Sequence, residues 1–152
     1  MRISLLLLAP LFLLLSCSHE KSSDGYPQSL EAFEKAVIKA ISNKSRSEIE
    51  ALCDYEGVSW ADDNIKNLMY AAEFTTSEGP IIQEDLKLRE DDPIASVSGS
   101  NAWLVPESMD ITYYMVWRGA LVDGSKGIVI SPVVQSDKGI HFAGIVMKGS
   151  KR

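Results

Sequence analysis

The chain is poor in the residues that staple secreted folds or build metal sites: its 152 residues hold two cysteines and two histidines. Cys17, His19, Cys53 and His141 are too few and too widely spaced to form a recognisable ligand set, so no metal and no cofactor is expected. Positive charge is scarce as well. Lys and Arg number 15 against 21 Asp and Glu, a formal net charge of −6. An acidic chain has no basic footprint with which to neutralise phosphates, which argues against nucleic acid as a partner. Long apolar stretches are missing except for one, at residues 3–15. Those 13 residues would make a helix of roughly 20 Å, against the ~30 Å of hydrocarbon that a spanning helix must cross.

That stretch has another reading. Arg2 is a positive leader, residues 5–15 an apolar segment, and the run stops at Leu14-Leu15-Ser16-Cys17, the layout of an export signal with an unusual end. The tetrapeptide resembles the lipobox of bacterial lipoproteins. The resemblance implies that residues 1–16 are a signal peptide and that Cys17 receives a diacylglycerol thioether, with cleavage just before it. Several acyl chains give stable anchoring where one chain gives only marginal binding. Ser18 stands where enterobacterial lipoproteins retained in the inner membrane carry Asp, so the resemblance also implies a place in the bacterial cell envelope, at the outer membrane facing the periplasm. The membrane, reached through this lipid anchor, is then the first expected partner. Loss of residues 1–16 removes one cation, leaving 14 Lys and Arg against 21 Asp and Glu, or −7.

Residues 17–28 read as the lipidated cysteine and a polar, flexible tether, and 29–152 as one domain. With Cys17 lipidated, Cys53 has no cysteine to pair with. It sits in the apolar series Ile49, Leu52, Cys53, where burial is the expectation. Ser29 precedes Leu30, Phe33, Val37 and Ile41 at helical spacing, predicting a helix over 29–42. Ser47-Glu48-Ile49-Glu50 has capping-box form and opens a second helix ending near Gly57. Ser59 and Asp62 repeat the logic for a third, carried by Ile65, Leu68, Met69 and Ala72 to about Phe74. Asp54, Glu56, Asp62 and Asp63 read as caps and first-turn charges favoured by the helix dipole.

After Gly79-Pro80 the period changes. Residues 82–89 alternate weakly, and 94–97 and 102–105 flank a polar turn. A meander of 110–122, 125–135 and 140–148 follows, with turns at Asp123-Gly124 and at 136–139. Three helices followed by antiparallel strands predict an α+β fold, helices packed on a curved sheet. This order, the segment VSGSNAWLV at 97–105 and the closing DKGIHFAGIVMKGSK at 137–151 resemble the SnoaL-like, nuclear transport factor 2-like superfamily. Ile140-His141-Phe142 departs from the aromatic usual after the last turn glycine. The resemblance implies a cone-like fold whose open end holds a small ligand, and frequent homodimerisation, but the fold alone assigns no function.

Pairing 122 with 125 and 135 with 140 puts Tyr113, Met115 and Trp117 on one apolar face with Ile128, Ile130, Val134, His141, Ala143, Ile145 and Met147. The other face, with Thr112, Tyr114, Val116, Arg118, Ser131, Val133, Phe142 and Val146, is mixed, and a second copy could cover it. Tyr113, Trp117 and His141 are the candidate ligand-binding group, two aromatics and an imidazole among apolar walls. The first functional expectation is a non-enzymatic domain that binds a ligand or partner. A second is an isomerase- or dehydratase-like enzyme in which Tyr113 or Tyr70 stabilises an oxyanion and His141 or Asp63 moves a proton. A third is a structural accessory subunit of an envelope complex. No spacing places a carboxylate on the apolar face, so no catalytic residue is assigned.

Overall fold

Ser29 caps the first helix as expected, its Oγ accepting from the Ala32 amide at 3.2 Å. The computed structural model describes residues 25–55, 57–93 and 110–152, so residues 1–16, Cys17, and the expected strands at 94–97 and 102–105 lie outside the described residues. Helix α1 (Leu30–Ser42) buries Phe33, Val37, Ala40 and Ile41. Helix α2 (Arg46–Glu50) starts earlier than its capping-box pattern predicts. Lys44 takes a left-handed φ of 51° after α1, and Ser45, not Ser47, accepts from the Glu48 amide. Helix α3 (Ala61–Met69) continues into a 3-10 turn, Tyr70–Glu73. Its cap position is Trp60, without a side-chain cap bond. Asp62 in its first turn instead pairs with Arg46 of α2 and with Lys66.

Among the described residues five antiparallel strands follow: β1 (Thr76–Gln83), β2 (Tyr113–Ala120), β3 (Lys126–Ser136), β4 (Gly139–Phe142) and β5 (Met147–Lys151). Their order is β1-β2-β3-β4, with β5 also on β3. The α+β expectation holds: three helices, then an antiparallel sheet. Strand β1 begins ahead of Gly79-Pro80. Among the described residues β1 pairs with β2 alone and slips register between Ser77 and Gly79, so the ladder tolerates the proline.

The expected third strand of the meander is split. Its first half pairs with the end of β3 and its second half with the start. Two asparagines of α3 hold the break. Asn64 donates to the Gly144 carbonyl at 2.6 Å and accepts from the Val146 amide at 3.0 Å, and Asn67 donates to the Val146 carbonyl.

The β2–β3 hairpin corrects the expected register. Its loop is Val122-Asp123-Gly124: the Leu121 amide donates to the Ser125 carbonyl and the Gly124 amide to the Leu121 carbonyl. Gly124 adopts a φ of 78°, the arrangement of a three-residue hairpin loop with a left-handed glycine, not a two-residue Asp-Gly turn. The extra residue slips β3 by one, pairing Tyr113 with Val133, Met115 with Ser131 and Trp117 with Val129. A slip of one exchanges the faces of a strand. The helix-facing core therefore joins Met115 and Trp117 to Val129, Val133 and Phe142, against Phe33, Val37, Ile49 and Leu68. Ile128 and Ile130, expected beside Trp117, lie on the far face with Val116.

That far face is not bare. Leu86 and Met147 pack on Val116, Ile128 and Ile130, and the buried Arg118 guanidinium forks onto Asp92 through two 2.7 Å bonds. The face expected to be free for a second copy is thus covered in part by the chain's own residues 86–92.

Candidate functional site

Register decides which of the expected site residues meet. Tyr113 and Trp117 lie on the helix-facing side, where Trp117 is buried and its indole N–H is given to Ser77 Oγ. Tyr113 donates its hydroxyl to Gln135 Oε1 at 3.2 Å. His141 pairs with Val134 in β4 and points to the opposite face. The three residues are not brought together, because the grouping rested on the two-residue hairpin turn that the chain does not make. Cys17 lies outside the described residues. Cys53 is half-buried against the core: Sγ donates to the Ile49 carbonyl at 3.1 Å, and desolvation pushes the thiol pKa up to about 12. Such a thiol is an inert packing group, not a nucleophile.

His141 does line a cavity, but a different one. A space of about 360 Å³ is walled by Asp54, Asp110, Thr112, Val134, Gln135, Ser136, His141 and Ala143. This falls within the size range of small-molecule pockets, about 300–1,000 Å³. Strand β4 supplies His141, the end of β3 supplies Val134, Gln135 and Ser136, and the stretch before β2 supplies Asp110 and Thr112. Asp54 comes from the linker after α2. That linker runs parallel to β4, the Asp54 amide donating to the Phe142 carbonyl and the Phe142 amide to the Leu52 carbonyl. The pairing sets Asp54 Oδ2 3.8 Å from His141 Nε2.

The imidazole is 4 % exposed. Its Nδ1 is buried without a hydrogen-bond partner. Burial lowers its pKa below the ordinary histidine value, opposed by the Asp54 carboxylate and the Gly139 carbonyl and assisted by the Lys138 charge. The Tyr26 ring rests on it, centroids 4.4 Å apart, and the Tyr26 hydroxyl donates to the Cys53 carbonyl. Residues 26–28, expected to belong to the flexible tether, are therefore part of the domain. The Tyr26 amide donates to the Lys138 carbonyl, and the Ile140 amide to the Pro27 carbonyl.

A second space of about 320 Å³ lies against Arg89, Asp92, Arg118 and Lys126 near the β2–β3 hairpin. Its cations are spoken for: Arg89 by Glu78, Arg118 by Asp92 and Lys126 by Asp91. Neither cavity is lined by Tyr113 or Trp117.

The residues that sequence reasoning missed are Asp54, Asp110, Thr112 and Gln135. Asp54 belongs to the acidic series read as caps, and of that series Asp62 and Asp63 do lie in the first turn of α3. What sets Asp54 apart is a parallel bridge between residues 53 and 142, for which a single sequence carries no local signal. Among the described residues no group of three or more His, Cys, Asp or Glu is placed to hold a metal ion, and no helix is long and apolar enough to cross a membrane. No family model, curated protein or solved structure matches this chain.

Proposed function

We propose that this chain is a lipid-anchored protein of the bacterial cell envelope whose domain is a non-enzymatic binding module, on the outer membrane facing the periplasm. The observation that carries the binding role is the cavity around His141, a roomy polar space whose wall holds the imidazole, two carboxylates and two hydroxyls. The anchoring role rests on Leu14-Leu15-Ser16-Cys17. The element order, three helices then an antiparallel sheet, supports reading the domain as a SnoaL-like, nuclear transport factor 2-like fold. Its helix-facing side is filled by core side chains, so the binding role is assigned to the far face of the sheet. The isomerase-like alternative has less support, since the Tyr113 hydroxyl is given to an amide and not held beside a carboxylate.

The anchor is tested by expressing the full chain in a bacterium and weighing the mature N-terminus. Acyl mass on Cys17 and membrane partitioning are expected for the natural sequence, and an uncleaved precursor for Cys17→Ala. A Cys17→Ala protein that is still cut after residue 16 and still acylated would sink the lipoprotein reading.

A further inference from the structure

The cavity around His141 has a one-sided chemistry. Among the described residues its wall holds two carboxylates, Asp54 and Asp110, the hydroxyls of Thr112 and Ser136, the Gln135 amide and one imidazole, and no Lys or Arg. Lys138, whose charge lowers the His141 pKa, stands in the β3–β4 turn outside the wall. Asp54 has the His141 imidazole as its neighbour at 3.8 Å, longer than a hydrogen bond. The Thr112 and Ser136 hydroxyls each accept one backbone amide, from Gln135 and Lys138, and keep a second lone pair, so among the described residues the space offers acceptors and no fixed positive charge to receive an anion. The geometry of the Cys, His, Asp and Glu side chains also suits no metal ion among the described residues.

We infer that this cavity binds a primary ammonium group, with Asp54 and Asp110 as its charge partners and the Thr112 and Ser136 hydroxyls as further acceptors. The inference rests on reading the domain as a binding module and names its ligand class. A primary ammonium carries three N–H donors and no acceptor, the complement of such a wall. A quaternary ammonium is a poorer fit, since it seeks aromatic faces and, among the described residues, His141 is the one aromatic ring in the wall.

Position adds to the chemistry. Tyr26, at the start of the described domain, rests on the His141 ring. It stands nine positions after Cys17, a covalent reach of at most about 30 Å. On the anchored reading the cavity is held near the lipid surface, where ammonium-bearing headgroups and soluble amines are both in reach.

The test uses the full chain in nonionic detergent micelles, following the His141 imidazole by NMR, with His19→Gln to assign its resonances. Ethanolamine is titrated as the probe, with glycerol and acetate as neutral and anionic counterparts. The expected result is a saturable shift with ethanolamine alone. A bound cation also drives the His141 pKa further down, because like charges disfavour protonation, a response that packing damage does not produce. Asp54→Asn and Asp110→Asn should each weaken ethanolamine by at least about tenfold, the equivalent of one hydrogen bond to a charged group. Two separate variants keep the test alive if one fails to fold.

Repeating the measurement in bilayers with and without phosphatidylethanolamine separates the sources. A His141 response to the lipid identifies a headgroup, and a response to free ethanolamine only identifies a soluble amine. No saturable shift with either, equal shifts with glycerol, or a response to acetate in place of ethanolamine overturns the ligand class. The mass of the same preparation reports Cys17 acylation independently. An acylated chain with an unresponsive His141 therefore sinks this inference and leaves the anchor standing.

Discussion

Three buried polar side chains, Asp92, Arg118 and His141, illustrate opposite ways of accommodating charge. Asp92 and Arg118 keep theirs. Burial alone would raise the Asp92 pKa, but the Arg118 fork and the Arg89 amide hold it below the ordinary carboxylate value. Asp92→Asn leaves the guanidinium buried and uncompensated, and should cost about 3–5 kcal/mol in denaturant unfolding. A loss under about 1 kcal/mol, the level of exposed pairs such as Lys35 with Glu31, would show that water reaches the pair. His141 gives its charge up instead. Its folded pKa lies below the unfolded value of 6.5, so the unfolded chain takes up the proton first as pH falls. Its contribution to stability is complete above about 6.5 and is lost as pH drops through the lower folded value. Denaturation midpoints between pH 7.5 and 5 should fall more steeply for the natural chain than for His141→Gln. Parallel slopes would mean that the ring is not held neutral.

At the level of elements, the most demanding contact is where Phe74 meets the β2–β3 hairpin. Gly119 and Gly127 are partners across the ladder, and a Cβ at either would lie 2.5 or 2.4 Å from the Phe74 ring. At Gly119 the added carbon would also meet the Thr76 carbonyl at 2.5 Å, whereas at Gly127 the nearest atoms are all Phe74. Gly127→Ala should therefore cost about 1–3 kcal/mol through overpacking, and most of that cost should vanish in a Phe74→Leu background. A double-mutant cycle that shows no coupling would refute the contact.

What the sequence made legible follows the same division between local and distant. The caps, the helical spacing and the change of period were enough for three helices followed by an antiparallel sheet, since each is written within a few residues. The glycine of the β2–β3 turn was visible too, but Asp123-Gly124 serves a two-residue loop and the end of a three-residue loop equally well. That single ambiguity exchanged the faces of β3 and assembled Tyr113, Trp117 and His141 into a site that does not form. The split between β4 and β5 depends on Asn64 and Asn67 reaching about 80 residues along the chain, and Asp54 reaches His141 only through the bridge to β4. Contacts of that range leave no periodic trace.

On the scale of the whole molecule, the question is where tether ends and domain begins. Polarity and lack of apolar period place the boundary at Ser29, yet residues 26–28 close the β3–β4 turn. Gly139, with φ of 112°, is the residue they cover: a Cβ there would sit 2.6 Å from the Tyr26 carbonyl oxygen and 2.8 Å from that of Pro27. A chain beginning at Ser22 keeps this cover, and one beginning at Ser29 loses two backbone hydrogen bonds and the Tyr26 ring over His141. At about 0.5–1.5 kcal/mol net for each bond, the shorter chain should be less stable by about 2–3 kcal/mol once the lost ring contact is included. Its His141 pKa should also rise toward the ordinary value as water reaches the imidazole, because desolvation is the leading cause of the depression. Both changes together assign residues 26–28 to the folded unit and fix the His141 cavity at the end of the domain nearest the anchor. Equal stability and equal His141 titration in the two chains would return those residues to the tether.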